Sequence, residues 1–103
     1  MNFKIFQKMS IAIVTGANKG IGLETCRALA KSGNFSKVYL TSRNVELGET
    51  ALADIRATTT NQVNYHQLDI SNQESVDKFK DYINQTYGGF DVLGIFIFTV
   101  SPA

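Results

Sequence analysis

Residues 11–22 read Ile-Ala-Ile-Val-Thr-Gly-Ala-Asn-Lys-Gly-Ile-Gly, an apolar run that breaks into glycines spaced G-x-x-x-G-x-G. Ile11 to Val14 is short and rich in β-branched residues, the character of a strand buried on both faces. Gly16, Gly20 and Gly22 then let the backbone turn tightly with no Cβ in the way. From Gly20 onward the apolar spacing is helical, so the turn delivers a helix N-terminus to the carboxyl end of a strand. Unpaired N–H groups and the positive end of the helix dipole meet there, an arrangement that suits a pyrophosphate. Few other readings accommodate strand, glycine spacing and helix together.

The pattern continues along the chain without repeats, low-complexity tracts or an interdomain linker. A first helix runs from Gly20 to Lys31 and closes on Ser32-Gly33, with Gly33 as its C′ residue. Lys37–Thr41 reads as a second strand. Asn44 is placed to cap a helix reaching about Ala57, which buries Val45, Ala51, Leu52 and Ile55. Residues 58–61 form a polar loop, and Val63–Leu68 a third strand ended by Asp69. Ser71-Asn72-Gln73-Glu74 fits a capping box. Behind it Val76, Phe79, Ile83 and Tyr87 stand at helical spacing, up to Gly88-Gly89. Phe90 opens a fourth strand.

The order is βαβαβαβ, an α/β fold with a parallel sheet and right-handed crossovers. The first two crossovers move the same way from the first strand, so their helices share one face. The third reverses direction, setting its helix alone on the other face and the fourth strand beside the first. The expected strand order is 3-2-1-4. The fourth strand's outer edge is then unpaired and carries Ile95-Phe96-Ile97-Phe98, a charge-free run of β-formers. That edge is a template for self-association.

Thr15-Gly16-Ala17-Asn18-Lys19-Gly20-Ile21-Gly22 resembles the cofactor motif of the short-chain dehydrogenase/reductases, and Asn18-Lys19 between the glycines is similar to the NADPH-dependent carbonyl reductases of that family. Leu40-Thr41-Ser42-Arg43, residues 66–70 (His-Gln-Leu-Asp-Ile) and residues 87–93 (Tyr-Gly-Gly-Phe-Asp-Val-Leu) match further family segments in family order. The resemblance runs from about Ile11 to Leu93. It implies the N-terminal half of a Rossmann-like, doubly wound sheet, with residues 11–103 a partial NAD(P)-binding domain and residues 1–10 a disordered extension. Asp69-Ile70 matches the family pair after the third strand, where the acidic side chain faces the adenine; as a residue, Asp69 reads almost as well as a loop or capping group.

Cofactor choice rests on the end of the second strand. NAD-binding versions place an acidic residue about 20 positions beyond the glycines to hold a ribose hydroxyl. Thr41-Ser42-Arg43 offers no carboxylate there. A planar guanidinium at Arg43 instead matches a 2′-phosphate, with Lys19 a second positive charge. The expected cofactor is NADP (NADPH), bound weakly by a half-site. Asn18 either braces the glycine loop or contacts the phosphate-bearing ribose. The cofactor set is therefore Gly16, Asn18, Lys19, Gly20, Ile21, Gly22, Arg43, Asp69 and Ile70.

Catalysis has no candidate. Reductases of the resembled family pair a tyrosine with a lysine four residues later, which lowers the phenol pKa for proton transfer. Here Tyr39, Tyr65, Tyr82 and Tyr87 are followed at that spacing by Arg43, Asp69, Thr86 and Asp91. The Asn-Asn-Ala-Gly that the family places after the fourth strand is also missing, and residues 94–103 form an aberrant apolar tail. The expectation is a truncated product whose tail was read through an unspliced intron or a frameshift, since Ile and Phe are specified by AT-rich codons. Sequencing the transcript tests this, and an ordinary exon junction encoding Gly94 onward refutes it. The expected role is cofactor binding without turnover. The alternatives are a non-functional product or a partner that pairs with a full-length reductase.

Composition bounds the rest. With 103 residues, 44% of them hydrophobic and 18% charged, the chain is one small globular piece. A net charge of +1 gives no field that favours nucleic acid or a membrane surface. The single cysteine, Cys26, fits a reducing compartment, here the cytoplasm, and reads as a small core residue. His66 sits inside a strand and reads as packing. No metal-ligand spacing is present, and residues 1–8 make a poor signal peptide.

Overall fold

The computed structural model describes residues 8–59, 63–89 and 91–99. Strands and helices alternate as β1 (Lys8–Thr15), α1 (Gly20–Ser32), β2 (Lys37–Ser42), α2 (Val45–Arg56), β3 (Val63–Gln67), α3 (Gln73–Tyr87) and β4 (Asp91–Thr99). All strand pairs are parallel, and the sheet order is β3-β2-β1-β4. This is the expected Rossmann-like half, and it follows from right-handed crossovers with one reversal at β1.

The sheet is buried on both sides by helices of different crossovers. Ala12, Val14, Val38, Leu40 and Val63 face Cys26 and Ala30 of α1 and Ala51, Leu52 and Ile55 of α2. Ile11, Ile13 and Tyr39, the alternate strand residues, face Phe79, Ile83 and Tyr87 of α3. Strand periodicity of two thus sorts one sequence into two cores. Each large aliphatic side chain so enclosed contributes about 1.5–3 kcal/mol. Arg27 ties the two helices of the first face together, donating to Glu24 at 3.2 Å, to Asp54 at 2.9 Å and to Thr58 at 2.7 Å.

Helix ends are mostly set locally. Asn44 caps α2 by accepting from the Leu47 N–H at 2.9 Å. Gly33 closes α1 with φ 70° in the left-handed region.

Three expectations are corrected. β1 begins at Lys8, so Lys8–Ser10 belong to the sheet rather than to an extension; β4 reaches down to Asp91 and supplies backbone partners for Lys8 and Met9. Residues 1–7 lie outside the described residues. Val45 is not buried but 49% exposed, because the stripe Gly48, Ala51, Leu52 and Ile55 faces the sheet while Val45 stands one turn earlier, past the carboxyl end of β2. The α3 cap is Asn72, which accepts from the Ser75 N–H at 3.0 Å, and not Ser71, whose hydroxyl is taken by Asp69. The placing of Ile95–Phe98 on a fourth strand beside the first, by contrast, agrees with expectation. Gly94–Thr99 continue β4 in register with Ser10–Thr15, after a bulge opposite Met9 and Ser10.

Candidate functional site

The carboxyl ends of β1, β2 and β3 lie along one edge of the sheet, and each passes into a short turn before its helix. In the first turn, Gly16 has φ 63° and Gly20 has φ 61°. A Cβ at either would meet nothing within 4 Å, so conformation rather than space demands glycine there. Gly22 is demanded by space: a Cβ on it would stand 2.5 Å from the Gly16 carbonyl oxygen. The first turn of α1 therefore lies directly against the loop that precedes it. Ala17, fully buried, fastens that loop to β2 by donating its N–H to the Thr41 carbonyl at 3.0 Å.

The α1 N-terminus is electrostatically open. Its cap residue, Lys19, is extended and offers no side-chain acceptor, and no acidic residue occupies the first turn. By contrast, α2 and α3 are capped by Asn44 and Asn72 and carry Glu46 and Glu74 in their first turns. The leading N–H groups of α1 and its dipole are left to act on what lies outside. Ile21 stands beside them with 69% of its surface exposed. Asn18 is half-buried, and among the described residues its side chain makes no hydrogen bond. A shallow depression of about 550 Å³ extends from this turn along α1, lined by Gly20, Ile21, Glu24, Thr25 and Ala28.

The second turn carries Arg43, exposed and without an ion pair among the described residues. Its backbone is held from below. The Tyr65 hydroxyl lies 3.0 Å from Ser42 Oγ and donates to the Ser42 carbonyl at 3.2 Å, while Ser42 Oγ donates to the Asn44 carbonyl at 2.8 Å. Gly48 makes room for this phenol, since a Cβ there would fall 2.1 Å from the Tyr65 ring. Gln67 Nε2 donates to the Arg43 carbonyl at 3.2 Å.

In the third turn, Asp69 Oδ1 accepts from the Ser71 hydroxyl at 2.6 Å and from the Ser71 N–H at 3.0 Å. These bonds hold the Asp69 carboxyl below the usual carboxylate range, and the positive charge of Arg43 adds a smaller push the same way. Asp69 thus serves its own turn, as the loop reading anticipates, while lying within the field of Arg43. Ile70 beside it is exposed. The structure brings Gly16, Asn18, Lys19, Gly20, Ile21 and Gly22 together in one turn, and Arg43, Asp69 and Ile70 into the two turns along the same sheet edge.

Sequence reasoning missed Ser42, Tyr65, Gln67 and Ser75, which support the Arg43 and Asp69 turns. Tyr65 and Gln67 reach back 23 and 24 residues, to Ser42 and to the Arg43 carbonyl, and only strand alternation hints at which way they point.

Other reactive groups are occupied. Burial pushes the Tyr39 phenol well above its ordinary range, helped by hydrogen bonds to Tyr82 and Tyr87, which is opposite to what proton transfer at neutral pH requires. Burial likewise pushes the Cys26 thiol up to about 12, where it is inert. His66 packs its ring 4.6 Å from Tyr82 and 5.0 Å from Phe79, centroid to centroid. Among the described residues no cluster of His, Cys, Asp and Glu is placed to hold a metal, and no helix is long and apolar enough to cross a membrane.

Comparison with known proteins agrees with this geometry. The short chain dehydrogenase family model matches residues 10–95. The chain is 41% identical over 87 residues to carbonyl reductase [NADPH] 1 of Pongo abelii, covering 82% of this chain and 30% of that protein. Among solved structures, menthone neomenthol reductase from Mentha piperita superimposes with a TM-score of 0.75 at 31% identity, over 94% of this chain and 33% of that one. An alcohol dehydrogenase from the archaeon Thermococcus sibiricus, complexed with 5-hydroxy-NADP, gives a TM-score of 0.65 at 35% identity, over 82% of this chain and 36% of that one. The chain spans under a third of the length of the curated relatives it matches.

Proposed function

The chain belongs to the short-chain dehydrogenase family, and from that premise we propose that it binds the adenine-nucleotide end of NADP(H), as the cofactor-holding portion of a reductase of carbonyl compounds. The observation that carries this reading is the cradle at the α1 N-terminus, where Gly22 packs against the Gly16 carbonyl with no room for a Cβ, beside helix N–H groups that no side chain caps. Gly16, Gly20, Ile21 and Gly22 hold the pyrophosphate in this reading. Arg43 and Lys19 meet the 2′-phosphate, Asn18 lies toward its ribose, and Asp69 and Ile70 flank the adenine. When bound, NADPH supplies a hydride.

The 103 residues taken alone are expected to bind without turnover, since no tyrosine has a lysine four residues on. The only cysteine is buried and unreactive, in keeping with a reducing compartment such as the cytoplasm. Calorimetric titration of the chain with 2′-phospho-ADP-ribose and with ADP-ribose tests the reading. Binding with preference for the 2′-phosphorylated ligand is expected; absence of binding, or equal affinity for both, overturns it. NADPH oxidation in the presence of a quinone or an aldehyde would overturn the expected lack of turnover.

A second reading, pairing through β4 with a full-length reductase or another copy, is favoured by β4 being the outer strand among the described residues, with Ile95, Phe96 and Ile97 all exposed.

A further inference from the structure

We infer that Gln67 and Ser75 are positioning residues that fix the Arg43 turn for recognition of a 2′-phosphate, an inference that rests on the cofactor reading above. Their side chains form one continuous hydrogen-bonded path between the two turns that carry Arg43 and Asp69. Gln67 Nε2 donates to the Arg43 carbonyl at 3.2 Å. Ser75 Oγ donates to Gln67 Oε1 at 3.3 Å and accepts the Asp69 N–H at 2.8 Å. Ser75 is itself buried in the first turns of α3, and its N–H is held by the Asn72 cap. The path thus ends on a fixed element rather than on solvent.

The chemistry of position 67 is specific. An amide donates and accepts at once, so one side chain spans from a carbonyl on one turn to a hydroxyl on the next. A carboxylate there would set an acceptor against the Arg43 carbonyl, and an aliphatic residue would leave that carbonyl untied. Arg43 is a long, exposed side chain whose rotamer freedom is lost when its fork engages an oxyanion. Anchoring its backbone lowers the further cost of ordering the turn from which it projects. Neither Gln67 nor Ser75 touches the phosphate in this scheme; both act through the backbone of the Arg43 turn.

The test measures affinities of the 103-residue chain and its variants for 2′-phospho-ADP-ribose and for ADP-ribose, with thermal unfolding in parallel. Gln67→Met keeps the length of the side chain and removes both of its bonds; Ser75→Ala breaks the path at its middle and serves if the first variant fails to fold. Each is expected to lower the preference for the 2′-phosphorylated ligand about five-fold, while ADP-ribose affinity stays within about two-fold of the parent. A merely structural role would weaken both ligands together, and that result overturns the inference. Arg43→Gln separates the two levels. If it abolishes the preference while Gln67→Met and Ser75→Ala leave it intact, the positioning role fails and the cofactor reading stands. If Arg43→Gln leaves the preference unchanged, the cofactor reading fails and the inference with it.

Discussion

The carbonyl oxygen of Gly16 lies 2.5 Å from where a Cβ on Gly22 would stand. This contact fixes the first turn of α1 against the loop from β1, and it explains the last glycine of the motif by space where Gly16 and Gly20 are explained by φ. Backbone oxygen cannot yield as a flexible side chain would.

Gly22→Ala is therefore expected to separate helix from loop, costing about 1–3 kcal/mol as an overpacked contact and weakening 2′-phospho-ADP-ribose about ten-fold or more. Gly33→Ala is the control. Gly33 has φ 70° with nothing within 4 Å of an added methyl, at the opposite end of the helix. It should lose about 1 kcal/mol from backbone strain and leave ligand affinity unchanged. Denaturant midpoints and calorimetry distinguish the two; equal effects on binding would refute the role of the contact.

Asp69 titrates below its ordinary value of 3.8, chiefly because Ser71 donates two hydrogen bonds to its carboxylate. A carboxyl depressed in the folded state contributes stability that is present above its unfolded pKa and is lost as pH falls through the folded one. The Asp69 turn should accordingly loosen only below about pH 4. Ser71→Ala removes the hydroxyl donor, so the Asp69 carboxyl, followed by carbon-detected NMR, should titrate at higher pH than in the parent. An unchanged midpoint would show that Ser71 is not the cause.

How much of this is legible in the sequence depends on the separation of the partners. The glycine turn, the Asn44 cap and Gly33 are decided within a few residues, and all can be read directly. The strand order needs more than the order of elements: right-handed crossovers fix the face of each helix once the direction is known, and the reversal at β1 comes from the family resemblance. The α3 cap misleads because Ser71 has a competitor two residues upstream: once Asp69 takes its hydroxyl, Asn72 is left to cap. Lys8 and Met9 look polar or indifferent, yet they pair because β4 runs alongside them, a fact no local pattern carries. Gln67 escapes notice for the same reason, since its partners lie 24 residues back on the β2 turn and 8 residues ahead on α3.

The Tyr39 phenol is enclosed with Tyr82 and Tyr87 and is raised well above its ordinary value of 10.0 by burial first and by the Tyr82 and Tyr87 hydroxyls next. A phenol raised in the folded state contributes stability that is fully present below its unfolded pKa and is lost as pH rises. The chain should therefore unfold in alkali above about pH 10, with tyrosinate absorbance and loss of helical ellipticity rising together. Tyr39→Phe removes that coupling and leaves its neighbours short of a partner, at a cost near neutral pH of about 1–2 kcal/mol. Tyrosinate formation in a chain that stays folded, reduced by one group in Tyr39→Phe, would contradict the enclosure.

Among the described residues β4 is the outer strand of the sheet, and Ile97 on it is 64% exposed within an uncharged Ile-Phe-Ile-Phe run. Unpaired backbone groups flanked by β-forming apolar side chains recruit another strand. The parent chain is expected to self-associate, its mass by light scattering rising with concentration. Ile97→Lys places a charge on the exposed edge without disturbing the buried faces, and it should shift the chain to monomer with stability changed by less than about 0.5 kcal/mol. Because the Ile97 side chain is exposed and the glycine loop is fastened to β2 through the Ala17 N–H, affinity for 2′-phospho-ADP-ribose should survive the substitution. A parent chain that is already monomeric at high concentration would remove the edge as an interaction surface. Association that persists unchanged in Ile97→Lys would move the surface elsewhere on the molecule.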